Sequence, residues 1–323
     1  VQQQQIYDVI FHADWSIKAS KRWVAVAHRD GSAWQITQLS QITDLIKDHV
    51  SLARLLLETA RDKRVLAGFD FPIGVPAKWA SAMELKSFPD FLERLRDNNY
   101  PSFCDVARSA SEICLQRPFY PASAKAGVKQ QHLYKALGFQ AFDELRRRCE
   151  GPTQHRAPAS PLFWTLGAKQ VGKGALSGWR EVITPCVNEG ARLWPFDGDL
   201  ENLSASSFII AETYPAEIYG WLGIKFQGKG GKRSQAKRRE FIQTIRAYME
   251  KGSISLSKDV TAQLEDGFGA AADGEDRFDA FCGACGMIEV ANGCRAAGAP
   301  RDPYIRNFEG WILGQKAEDI LSG

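Results

Sequence analysis

Long apolar runs are missing from this 323-residue chain. No stretch reaches the roughly 18–20 apolar residues that span a bilayer, so no membrane partner is expected. The opening VQQQQ has neither a basic nor an apolar leader region, which argues against secretion. Metal and disulfide signatures are scarce too. The seven cysteines (Cys104, Cys114, Cys149, Cys186, Cys282, Cys285 and Cys294) are odd in number and irregular in spacing. That pattern favours free thiols in a reducing, cytoplasmic setting. Cys282 and Cys285 form a C-x-x-C, but no second ligand pair would complete a zinc site. The pair lies inside DAFCGACGMIEV, an apolar helix-like run where small core residues are expected rather than a redox centre. The five histidines show no metal spacing, and His12 reads as a packed neighbour of Asp14. Neither GKGGKRS nor GAKQVGKG has the spacing of a phosphate-binding G-x-x-x-x-G-K-[ST] loop. A net charge of +3 is too small to name a partner.

What is present reads as an ordinary globular α/β protein, 44% hydrophobic and 24% charged. IYDVIFHADWS, RWVAVAHR and AWQITQLS read as three closely spaced strands of an antiparallel meander. ITDLIKDHVSLARLLLETARDK carries apolar residues at helical intervals, and RVLAGFDFP reads as a fourth strand. The helix before it makes a crossover, which predicts pairing parallel to the first strand. Residues 72–205 carry Pro-Gly punctuation, many aromatics and expected helices near 103–115 and 139–149. They read as a large insertion packed on the active-site end of the sheet. SSFIIAETYPAEIYG returns to a strand. SQAKRREFIQTIRAYMEK reads as a helix with Ser234 as N-cap, and a last helix begins near Glu275.

Three strands, helix, strand, insertion, strand and helices give the connectivity of the ribonuclease H-like fold. Its core would comprise residues 1–71 and 206–323, a mixed sheet of three antiparallel and further parallel strands flanked by helices. Carboxylates fall at that fold's functional points. Asp14 ends the first strand, Asp70 ends the fourth, and Asp276 and Asp279 share one face of the final helix. A carboxylate at the end of a buried strand is costly unless paired. Neighbouring carboxylates repel unless a cation lies between them. Hard oxygen ligands suit Mg²⁺ or Mn²⁺, and two such ions suit phosphodiester hydrolysis. Asp14, Asp70 and Asp279 are the expected metal ligands, with Asp276 the alternative on the helix. Glu212, at the end of the last strand, suits either a catalytic role or a buried pair with an arginine. The basic segment 225–239 offers Lys232, Arg233, Lys237 and Arg239 to phosphates.

ADWS, GFDFPIGVP, ETYPAE, GEDRFDA and EGWILGQ, in that order from Asp14 to Gln315, resemble the DUF429 family (domain of unknown function). Its members are described as predicted ribonuclease H-like nucleases. The resemblance implies a fold like that of ribonuclease H and the Holliday-junction resolvases. Those resolvases carry an acidic D-x-x-D on the final helix, which Asp276 and Asp279 match. The resulting expectation is a metal-dependent nuclease acting on DNA or RNA. The alternatives are a non-catalytic nucleic-acid-binding module and a nucleotide phosphohydrolase.

Overall fold

Alternation along VIFHAD decides where the chemistry can lie. Val9, Phe11 and Ala13 enter one hydrophobic core, whereas Ile10 enters the core on the opposite face of the sheet. His12 and Asp14 share the face of Ile10, because side chains alternate along a strand. The structure is a computed structural model that describes residues 7–124, 127–166, 171–203, 205–228 and 230–321. The N-terminal glutamines and part of GAKQVGKG lie outside these residues.

Seven strands form one mixed sheet: β1 (Val9–Asp14), β2 (Trp23–Asp30), β3 (Ala33–Gln41), β4 (Val65–Phe69), β5 (Arg192–Leu193), β6 (Phe208–Glu212) and β7 (Ile254–Leu256). Their order is β5-β6-β4-β1-β2-β3-β7. The meander β1–β2–β3 is antiparallel, while β4 runs parallel to β1 and β6 parallel to β4. Both edges are closed by short parallel strands, β5 on β6 and β7 on β3. These two span only two and three residues, too short for a pattern of their own in the sequence. The connectivity is compatible with the expected ribonuclease H-like core.

Helices cover both faces. In chain order they are α1 (Ile42–Leu45), α2 (Leu52–Asp62), α3 (Ala77–Ala82), α4 (Phe88–Arg96), α5 (Gln130–Ala136), α6 (Val171–Gly178), α7 (Thr184–Asn188), α8 (Pro215–Trp221), α9 (Gln235–Arg239), α10 (Ile242–Lys251), α11 (Lys258–Glu265) and α12 (Gly274–Ala291). The single helix expected from Ile42 onward is broken, because the Ser51 hydroxyl accepts the Arg54 amide and starts α2 afresh. Ser234 caps α9 in the same way, as its sequence predicts. No α-helix forms at 103–115 or 139–149, where three short 3₁₀ turns stand instead. Acidic side chains close these turns locally: Glu112 accepts the Arg108 amide and Glu150 the Arg147 amide.

Residues 72–205 do more than cover an end of the sheet. Trp79, Phe88, Phe91, Phe103, Phe119, Phe163 and Trp179 share one core with α2 and the Val9 face, and the segment supplies β5. The opposite face belongs chiefly to α8, α10, α11 and α12. Helix α12 packs closely on the sheet because its inner face is small. A Cβ on Gly283 would lie 1.9 Å from the His12 ring. Cys282 and Cys285 are buried core residues, and all seven cysteines are free.

His12 ties three elements together. Its Nδ1 donates to the Ala280 carbonyl (3.0 Å), which requires Nε2 to accept from the Thr213 hydroxyl (2.9 Å). Burial pushes this imidazole down to about 3 and keeps it neutral. The unfolded chain takes up that proton below about 6.5, whereas the folded chain does not. The associated stability is therefore complete above 6.5 and lost as pH falls toward 3. Urea unfolding at pH 6.5 and 4.5 should show the wild type losing about 2–3 kcal/mol more than His12→Gln.

Candidate active site

Ligands bind to open α/β sheets in the crevice outside the carboxyl ends of parallel strands. Here β1, β4 and β6 end together, with Asp14, Asp70 and Glu212 at or just beyond their last residues. Register then separates the three acids. Ala13 pairs with Phe69, and Phe69 with Glu212. Asp14 and Asp70 each follow the paired residue by one position, so both point to the α12 face. The β6 residue level with them is Thr213, whose amide donates to the Phe69 carbonyl (2.8 Å). Glu212 points to the opposite face.

Asp14 is buried and Asp70 half-buried, and their carboxyl groups hydrogen-bond to each other. The Trp15 amide donates to Asp70 Oδ1 (2.6 Å). Asp279 enters from α12, buried, with one carboxylate oxygen taken by the Tyr219 hydroxyl and the other by the Lys232 ammonium. Burial pushes all three carboxyls up. Asp70 and Asp279 raise Asp14 further, and Asp70 raises Asp279, while Lys232 opposes the rise at Asp14 and Asp70. The Trp15 amide and the bond from Asp14 favour charge on Asp70.

Asp276, one helical turn earlier, is half-buried nearer the rim. Its Oδ2 is buried without a partner among the described residues, and burial pushes the group up to about 6 against the opposing charges of Lys21 and Lys232. Of the four basic residues expected to face phosphate, Lys232 reaches the acids. Arg233 is exposed at the rim, 3.6 Å from Glu275. Lys237 and Arg239 are not brought to the site, since they pair with Glu240 and Asp266.

Glu212 is bound into a different centre. Arg147 Nη1 and Nη2 each donate to it at 2.6 Å, and the Ile73 amide adds a third bond at 2.6 Å. The same guanidinium donates to Glu150 (2.9 Å) and to the Glu309 carbonyl (2.9 Å). Both oxygens of Glu212 are thus engaged away from Asp14 and Asp70. The expected catalytic role gives way to its alternative, a buried pair with arginine. Three participants escaped sequence reasoning. Lys21, close after Asp14 in the chain, carried a faint signal by proximity. Tyr219 and Arg147 had none outside the fold.

Oxygen-only donors around unneutralised charge fit a hard divalent cation in their chemistry. Their present arrangement is not a finished metal site. Among the described residues no group of three or more His, Cys, Asp and Glu side chains is set to hold an ion. Asp279 is instead held by Lys232 and Tyr219. No family model, no curated protein and no solved structure matches the chain. Among the described residues no helix is long and apolar enough to cross a membrane.

The two charge centres should respond oppositely to mutation. Arg147→Met strands Glu212 and Glu150 in the interior, and urea unfolding should show a loss of about 3–5 kcal/mol, partly restored by adding Glu212→Gln. Asp14→Asn relieves repulsion instead. A carboxyl whose folded pKa is raised loses stability as pH climbs above its ordinary value of 3.8. In chelator at pH 8, Asp14→Asn should therefore be at least about 1 kcal/mol more stable than wild type.

Proposed function

We propose that the chain is a divalent-metal-dependent nuclease, or a related phosphodiester hydrolase, on a ribonuclease H-like core related to DUF429. One observation carries this reading. The Asp14 and Asp70 carboxyls meet at the ends of two neighbouring parallel strands, facing Asp279, in a pocket where the described residues supply less positive charge than the acids would carry. A purely structural carboxylate would be matched by an arginine, as Glu212 is matched by Arg147.

Asp14 and Asp70 would hold Mg²⁺ or Mn²⁺, and Asp279 would complete the set. Bound there, such ions supply activation of water and stabilisation of a leaving oxygen. The chain's own residues do the rest. The Trp15 amide fixes the Asp70 carboxylate, and the Tyr219 hydroxyl fixes that of Asp279. Lys21, Lys232 and Arg233 edge the acids with positive charge, which suits the flanking phosphates of a DNA or RNA strand. The contact between Lys232 and Asp279 also favours a second reading, a nucleic-acid-binding module without turnover.

Incubation of DNA and RNA with Mn²⁺, Mg²⁺ or chelator separates the two. The nuclease reading expects cleavage that chelator abolishes and that Asp14→Asn or Asp70→Asn lowers by at least ~100-fold, with the circular dichroism spectrum preserved. Salt-dependent binding without cleavage in either metal supports the second reading and overturns the first.

A further inference from the structure

Lys232 touches Asp279, the buried acid that faces Asp14 and Asp70 from α12. Its ammonium donates to Asp279 Oδ2 and lies close enough to oppose the rise at Asp14, Asp70 and Asp276. It is thus the single cation shared by all four carboxyls among the described residues. Its backbone and side chain are held very differently. Lys232 sits in a 3₁₀ turn, Gly231–Arg233, entered through Gly230 at φ 90°, a conformation that favours glycine. Buried Arg238 clamps the turn, donating to the Lys232 carbonyl, to the Gly267 carbonyl (2.8 Å) and to the Gly269 carbonyl (2.5 Å). The side chain, by contrast, is 38% exposed on a four-carbon stem. The backbone is clamped, while the partly exposed stem gives the ammonium a path to solvent should its bond to Asp279 be lost.

Building on the metal-dependent reading above, we propose that Lys232 is a resident counter-cation that a divalent ion displaces from Asp279. Displacement leaves the ammonium tethered at the rim, where a substrate phosphate arrives. Lys232 then offsets part of the acids' charge in the metal-free protein and contacts phosphate in the loaded one. Metal binding and exposure of this lysine are two sides of one equilibrium, so each biases the other equally. The consequence is ordered assembly, in which the cation enters before the strand is gripped.

The test labels amines of the intact protein with an acetylating reagent, in chelator and in Mn²⁺, and quantifies each lysine by mass spectrometry. Exposed Lys63 serves as the internal reference. Bound Mn²⁺ is counted in parallel by electron paramagnetic resonance. Labelling of Lys232 relative to Lys63 should rise with Mn²⁺ occupancy by between about fivefold and 150-fold, the usual range of coupling between sites. In Lys232→Met, Mn²⁺ affinity should rise within the same range. Bound Mn²⁺ with unchanged Lys232 labelling overturns the displacement while leaving the metal site standing. Absence of bound Mn²⁺ overturns both. Unchanged or weaker Mn²⁺ binding by folded Lys232→Met also overturns the displacement.

Discussion

Repulsion among buried carboxylates is the constraint on which this molecule turns. Asp14, Asp70 and Asp279 are drawn together by the sheet and by α12; Asp70 and Asp279 raise the cost of charging Asp14, and Asp70 raises that of charging Asp279. Nothing local requires aspartate at these points. An asparagine at position 14 would keep the strand and remove the conflict. On the metal-dependent reading proposed above, the conflict reserves the place for positive charge from outside. The hydrogen bond between Asp14 and Asp70 is the resting compromise, since it uses one proton where a cation would serve better.

The sheet ends in two charge centres of opposite design. On the α12 face three acids share one partly exposed lysine. On the other face Arg147 meets Glu212 and Glu150 in a buried cage closed by Ile73 and Glu309. The cage joins four distant parts of the chain: the turn after β4, the 3₁₀ turn at 148–150, the end of β6 and the segment around Glu309. Its hydrogen bonds tie these parts to one another, so its work is to hold the strand ends in register. The acidic pocket depends on that register, because a shift of one residue in β4 would send Asp70 to the opposite face.

Much of the site was legible in the sequence, for a physical reason. Apolar runs that stop at Asp14 and Asp70 mark strand ends, and crossover logic places those strands side by side. Asp279 was legible through helical spacing. Glu212 was not, because parity depends on the register between β4 and β6, which the composition of FIIAET leaves undetermined. The clamp on Lys232 was equally hidden. Arg238 lies between Lys237 and Arg239 in a basic run, yet it alone turns inward to three carbonyls. The broken helix at Ser51 and the closed turns between 103 and 150 were lost to side-chain capping, which overrides apolar spacing locally.

Rigid support and a loose cation belong together in this pocket. Helix α12 cannot withdraw from β1, because its small inner face is filled by the His12 ring and pinned at the Ala280 carbonyl. Asp279 therefore stays opposite Asp14 and Asp70 whatever occupies the space between them. Tyr219 holds one of its oxygens from the neighbouring α8, which prevents the carboxylate from rotating away. Among the described residues, the partner of these acids best placed to yield is the lysine, whose stem reaches solvent while its backbone is anchored. A pocket built this way does not close around its cation. On the displacement proposed above, it exchanges one positive charge for another at fixed coordinates, and the exchanged lysine is left at the edge facing outward.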